Sequence, residues 1–237
     1  MGHGRRSLRL VGGYKVKRVT VFAGHYGSGK TNLAVNFALS LAREKKAVSL
    51  ADLDIVNPYF RSKDSRRILE EAGVRFISSE YANSNVDVPA LPAEAYSITE
   101  DESRFGVLDV GGDDRGALAL GRYVPALTCE NNYDMWFVVN PYRPLTRTPE
   151  AALGVLYEIE EACRLPFTGI VSNPNIGEET TAEAVLSAGN YMKELSRLSS
   201  LPVVMTAAHE PLCPLLEGKI ENLFPIKLYV RQSWQKE

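Results

Sequence analysis

Gly24-His25-Tyr26-Gly27-Ser28-Gly29-Lys30-Thr31 decides how this chain is read. The stretch meets the pattern G-x-x-x-x-G-K-[ST] in full at Gly24, Gly29, Lys30 and Thr31. That pattern marks a phosphate-binding loop only where a strand precedes it and a helix follows, and both conditions hold. Val19–Phe22 is β-branched and aromatic and reads as a buried strand. From Thr31 to Arg43, Leu33, Ala34, Phe37, Ala38 and Leu41 fall on one helical face. The residue types have a chemical reason. Glycines at 24, 27 and 29, with Ser28 between them, let backbone N–H groups turn inward and cradle phosphate oxygens. The helix N-terminus adds positive potential. Lys30 is placed to reach the β- and γ-phosphates, and the Thr31 hydroxyl to ligate Mg²⁺. The expected ligand is a nucleoside triphosphate, ATP with Mg²⁺. The alternative, a Gly-rich strand-to-helix turn with no ligand, is disfavoured by the flanking strand and helix.

Working outward, short apolar runs alternate with longer helical periodicity. Ala47–Leu53, Val74–Ile77, Phe105–Val110, Met135–Val139, Phe167–Val171, Pro202–Met205 and Ile226–Val230 read as strands. Ser65–Ala72, Gly116–Leu127 and Thr180–Leu198 read as helices, and so does a segment capped by Thr148 with Pro149 in its first turn. Ser78–Glu102, with Pro89 and Pro92 and little periodicity, reads as mostly loop. This alternation predicts an α/β fold, a doubly wound and mostly parallel β-sheet with helices on both faces. Right-handed crossovers place all strand C-termini at one edge, where open α/β sheets bind ligands. The phosphate loop falls at that edge.

Two further acidic strand ends fall there. In Ala51-Asp52-Leu53-Asp54, alternate residues share a face, so Asp52 and Asp54 point the same way while Leu53 packs. One carboxylate would hold Mg²⁺, usually through water, and the other would orient an attacking water. The alternative is a pair of acids that merely solvate a strand end. Phe105–Leu108 is an apolar run closed by Asp109, with Val110-Gly111-Gly112-Asp113 after it. Asp109 is placed to join the Mg²⁺ shell. Gly111 and Gly112 are placed to bring backbone N–H groups near a γ-phosphate.

With 237 residues and 45% hydrophobic content, the chain suffices for a single nucleotide-binding domain over 1–237, with residues 1–18 as a basic lead-in. A net charge of -2 gives no basic footprint for nucleic acid. No apolar run of about eighteen residues exists to span a membrane. Cys129, Cys163 and Cys213 form no C-x-x-C pair, which fits a reducing cytoplasm.

The loop Gly24–Thr31, the "ADLD" of Ala51–Asp54 and the "LDVGGD" of Leu108–Asp113 together resemble the MinD/ParA/CobQ–CobB group of P-loop ATPases, of the SIMIBI class. The resemblance runs roughly from Val19 to Thr206. It implies that Asp54 positions the hydrolytic water with Asp52 as its companion, and that Asp52–Arg61 is a switch segment. It also implies that Asn173 hydrogen-bonds the adenine base and that Pro202–Met205 with its following loop walls the base pocket. The sequence departs from the dimeric members at His25, where they carry a signature lysine that reaches the partner's nucleotide. Neutral imidazole can hydrogen-bond a phosphate but carries full charge only when protonated. Arg61, Arg115 and Arg143 are candidates to replace that lysine. The resemblance implies a slow ATP hydrolase acting as a switch on a protein client, exchanging ATP for ADP and forming a homodimer in the ATP state. Its rivals are a stand-alone synthetase or kinase of the dethiobiotin-synthetase kind and a module that holds ATP without splitting it.

Overall fold

The computed structural model describes residues 8–9, 14–53, 63–78, 96–112 and 114–229. Within them, eight strands form one sheet: β1 Val19–Ala23, β2 Val48–Asp52, β3 Val74–Ser78, β4 Phe105–Asp109, β5 Tyr133–Val139, β6 Gly169–Ser172, β7 Val203–His209 and β8 Leu223–Ile226. Their order across the sheet is β8-β7-β6-β5-β1-β4-β2-β3, and every pairing is parallel. β1, which feeds the phosphate loop, lies between β5 and β4. All the strand ends that carry the sequence motifs therefore open on one edge.

The strand residues alternate between two cores. Val19, Val21 and Ala23 of β1 face one side with Met135, Phe137 and Val139 of β5. Phe22 faces the other, against Phe37 of helix α1 (Lys30–Arg43) and Trp136 of β5. The three rings meet edge to face, with centroids 5.3 to 5.5 Å apart. Helix α2 (Lys63–Glu71) adds Leu69 to this second core. The first core is covered by α3 (Ser97–Glu100), α4 (Asp114–Gly121), α5 (Val124–Glu130), α6 (Pro149–Cys163) and α7 (Ala182–Ser199), through Ile98, Leu120, Leu127, Leu156 and Leu195. A last short helix, α8 (Cys213–Leu216), packs with α7 near β8. Helices on both faces of a wholly parallel sheet give the expected fold class, with near-continuous apolar strands.

Local chemistry sets the element ends. Thr148 Oγ1 accepts from Ala151 N at 3.2 Å, and Thr181 Oγ1 from Ala184 N at 3.2 Å, so both α6 and α7 open on a threonine cap. Two expectations need correction. Gly116–Leu127, expected as one helix, is split into α4 and α5. Pro125 lacks an N–H and crowds the preceding turn, so it fits the first turn of a new helix and not the middle of an old one. The last strand runs over Leu223–Ile226 and not Ile226–Val230; it holds Pro225, which an edge strand tolerates. The lead-in is anchored at its end. The Tyr14 hydroxyl and the Lys17 N–H both donate to the buried Asp134 carboxylate, at 3.0 and 3.1 Å. Arg18 pairs with Glu130 and donates to the carbonyl of Ile98 at 2.8 Å. Leu8–Arg9 and Lys15–Val16 pair with each other, apart from the main sheet.

Candidate functional site

Between β1 and α1 the chain wraps around the helix N-terminus. Gly24, Gly27 and Gly29 have φ of 156, 76 and 92°. At Gly29 the left-handed backbone already excludes most residues, and a Cβ there would run into the Asn173 side chain. The Ser28 N–H bonds back to the His25 carbonyl at 3.2 Å, and Leu33 N to Gly29 O at 3.1 Å, so helical bonding begins at the loop's last glycine. Lys30 opens α1, is only 6% exposed, and curls over the loop to place Nζ 3.2 Å from the His25 carbonyl. Its ammonium therefore sits at the loop rather than in solvent. Ser28 Oγ is buried beneath with no hydrogen-bond partner among the described residues.

The carboxylates meet the helix start. β2, β4 and β1 lie side by side, with Asp52 and Phe22 each in register with Asp109. Asp109 and Asp52 lie two residues beyond Val107 and Leu50, which face α1, and so share that face. Asp109 is 1% exposed, and the Thr31 hydroxyl donates to its Oδ2 at 2.7 Å. Leu53 turns away into the opposite core, as alternation demands. A hydroxyl and two carboxylates at a helix N-terminus are hard oxygen donors of the kind that hold Mg²⁺ together with phosphate oxygens. Among the described residues no group of three or more His, Cys, Asp or Glu could cage a metal, so an ion here would need phosphate oxygens to complete its shell. The residues present fit Mg²⁺ bound with a nucleotide.

Gly112 closes the loop from the β4 side. A Cβ there would stand 2.6 Å from Tyr26 N and 2.9 Å from His25 C, so the backbone after Asp109 lies directly on the phosphate loop. The His25 ring is half-buried, with Nδ1 3.1 Å from the Tyr26 carbonyl. Asp54, Asp113 and Arg61 lie outside the described residues, as does most of the expected switch Asp52–Arg61 and of the loop within Ser78–Glu102. Arg115 is described only as a position in α4.

Asn173 follows β6 and is 4% exposed. Its Nδ2 donates to the Ser28 carbonyl at 2.6 Å, which ties the end of β6 to the phosphate loop. It also borders a cavity of about 370 Å³ at the ends of β6, β7 and β8, lined further by Pro174, Asn175, Ala207, His209 and Leu212. Pro202–Met205, expected to wall a base pocket, do not line this cavity; Ala207, Ala208 and His209, at the end of the same strand, do. Asn173→Ala is expected to remove the tether, weaken ATP binding by about five- to tenfold, the worth of one hydrogen bond, and narrow the preference for ATP over GTP. Competition binding with both nucleotides checks this, and an unchanged preference would take Asn173 out of the base site.

The segment after β5 carries Arg143, one of the three arginines considered in place of the signature lysine. It is braced around the buried Asn140, whose Nδ2 donates to Asn175 O at 2.8 Å and whose Oδ1 accepts from Tyr142 N at 3.0 Å. Thr146 Oγ1 donates to the Asn140 carbonyl at 2.7 Å. This brace holds Arg143 against the phosphate loop, with Nε donating to Gly27 O at 3.0 Å.

No protein-family model matches the chain. Among curated proteins it is similar to the cytosolic Fe-S cluster assembly factor cfd1 of Emericella nidulans, 25% identical over 111 residues that make up 47% of this chain and 31% of that protein. Among solved structures it is similar to the cell division protein FtsY of Thermotoga maritima, with a TM-score of 0.58 and 17% identity over 89% of this chain and 67% of that one. It is also similar to the signal recognition particle 54 kDa protein of Aeropyrum pernix in complex with GDP, with a TM-score of 0.52 and 18% identity over 81% of this chain and 41% of that one. The chain spans about a third of the length of the curated relative it matches. The fold is that of the P-loop NTPases. Among the described residues no helix is long and apolar enough to cross a membrane.

Proposed function

We propose that this chain binds Mg·ATP in the loop Gly24–Thr31, splits it slowly, and acts as a nucleotide-dependent switch of MinD/ParA type on a protein partner. The observation that carries the reading is the contact of the Thr31 hydroxyl with the buried Asp109 carboxylate, beside Asp52 and at the N-terminus of α1. A hydroxyl and a carboxylate so placed give an incoming Mg²⁺ its protein oxygens, and the loop N–H groups and Lys30 take the phosphates. Bound Mg²⁺ would neutralise charge on the transferring phosphoryl group. The protein's own part is to hold the triphosphate in line and to keep the donor oxygens on one face. Asp54, one residue past the described end of this edge, is assigned the positioning of the attacking water.

The switch reading rests on the geometry around Gly112 and on the surface beside it. Its backbone lies against the phosphate loop, so a nucleotide that shifts the loop shifts the chain leading into α4. Within the loop, Tyr26 is 58% exposed, and Leu145, two residues beyond the loop-bound Arg143, is 57% exposed, apolar groups available to a second copy or a client.

Solution mass measured by light scattering tests this, with Mg·ATP, with Mg·ADP and without nucleotide, using Asp54→Ala to hold the ATP state. A doubling of mass with Mg·ATP only is the expected result. One mass under all three conditions removes ATP-driven pairing, and faster ATP turnover with an added carboxylic acid would favour a synthetase.

A further inference from the structure

A triphosphate with one Mg²⁺ and one lysine still carries net negative charge, so the site described so far is short of a cation. His25 does not supply it as a neutral ring. Its Nδ1 lies 3.1 Å from the Tyr26 carbonyl, which only accepts, so a neutral ring that bonds there carries its proton on Nδ1. The other ring nitrogen is then a lone pair, which a phosphate oxygen repels. Nor do the other arginines whose bonds are described in the core and along its far edges reach the loop. Arg18 is spent on Glu130 and on carbonyls at the opposite edge of the sheet, and Arg104 on Ser49 and Val48.

Arg143 is placed differently. Its Nε holds the Gly27 carbonyl, and a Cβ on Gly27 would lie 3.3 Å from that nitrogen. Its two terminal nitrogens make no hydrogen bond among the described residues, and the side chain is exposed at the loop. Its own N–H bonds to Asn140 O at 3.1 Å, and neighbouring Tyr142 is pinned through its hydroxyl to Ala184 O at 2.7 Å. A guanidinium fixed at one nitrogen, with two others open beside a phosphate cradle, is preset for bidentate contact with phosphate.

We propose that Arg143 is the second cation of this site, donating from its terminal nitrogens to the terminal phosphate of a triphosphate held by the same chain. This rests on the nucleotide-binding reading above. It assigns to the chain's own loop a charge that would otherwise have to come from a partner.

The test is binding of Mg·ATP, Mg·ADP and AMP to the full chain and to Arg143→Ala and Arg143→Lys, with melting temperatures taken without nucleotide. Arg143→Ala is expected to weaken Mg·ATP by about tenfold or more while changing Mg·ADP by less than about threefold, the size of one charge-assisted contact. Arg143→Lys, which keeps the charge and loses the Nε tether, is expected to recover part of the loss. Equal losses for ATP, ADP and AMP would overturn the proposal and place Arg143 on the base or ribose. No loss for any of them would overturn it too. If Arg143→Ala melts early, Arg143→Gln takes its place in the same comparison. Should the unaltered chain bind none of the three, it is the nucleotide reading itself that fails.

Discussion

Lys30→Ala is expected to abolish binding of Mg·ATP, with affinity falling at least about a hundredfold. Lys30 is the first residue of α1, nearly buried, with its ammonium already turned back over the loop. A ligand entering the cradle meets a charge that needs no reorientation. Charge-assisted hydrogen bonds contribute about 1.5–3 kcal/mol each, and two of them, to neighbouring phosphates, account for a loss of about two to four powers of ten. The helix should survive, because alanine is the best helix former. Titration calorimetry on the variant, with circular dichroism to show an intact fold, checks both halves. Affinity within tenfold of the unaltered chain would move the phosphate site away from Gly24–Thr31.

The second large effect is at Asp109. Asp109→Asn keeps the shape of the side chain and an oxygen for the Thr31 hydroxyl, removes the charge, and puts an N–H donor in place of the other oxygen. The gain in ATP affinity on adding Mg²⁺ is expected to vanish, and turnover to drop by about a hundredfold or more, while ATP affinity in EDTA stays as it was. Asp52→Asn should lose less, because Asp52 is only half-buried and lies further from solvent exclusion than Asp109. Measuring affinity with and without Mg²⁺ separates a metal role from a fold role: a variant that loses ATP in EDTA as well has lost the site's shape. Full Mg²⁺ stimulation in Asp109→Asn would remove Asp109 from the metal shell.

Much of this was legible in the residues. The loop Gly24–Thr31 could be read because phosphate binding constrains side-chain size and charge at fixed spacing, and the strands because buried parallel strands are apolar throughout. Thr148 and Thr181 cap helices near the positions that capping chemistry picks out. The break at Pro125 was visible too, but the apolar pattern through Leu120 and Leu127 masked it. What sequence could not show was anything made by distant segments. Arg143 could be read only as one of three candidate arginines, and Asn140 not at all, because the contacts that place them come from Gly27 and Asn175, far away along the chain. The cavity beyond Asn173 lies near where the resemblance put a base pocket, but its lining comes from three strand ends, and of these only the stretch around Asn173 and the loop after Met205 was legible.

The bond from Asn173 to Ser28 joins two compartments of this protein that a nucleotide would occupy at once. A carboxamide is a rigid plane, and this one spans two compartments: one edge holds the phosphate loop, and the plane continues into the cavity at the ends of β6 to β8. A ligand that rotates the amide from the cavity side also pulls on the loop. By reciprocity, the loop's hold on phosphate feeds back on what the cavity accepts. On the proposed reading, with a base in the cavity, one of the wrong shape would be penalised twice, once where it sits and once in the alignment of its phosphates, and selectivity is expected to be sharper in turnover than in affinity.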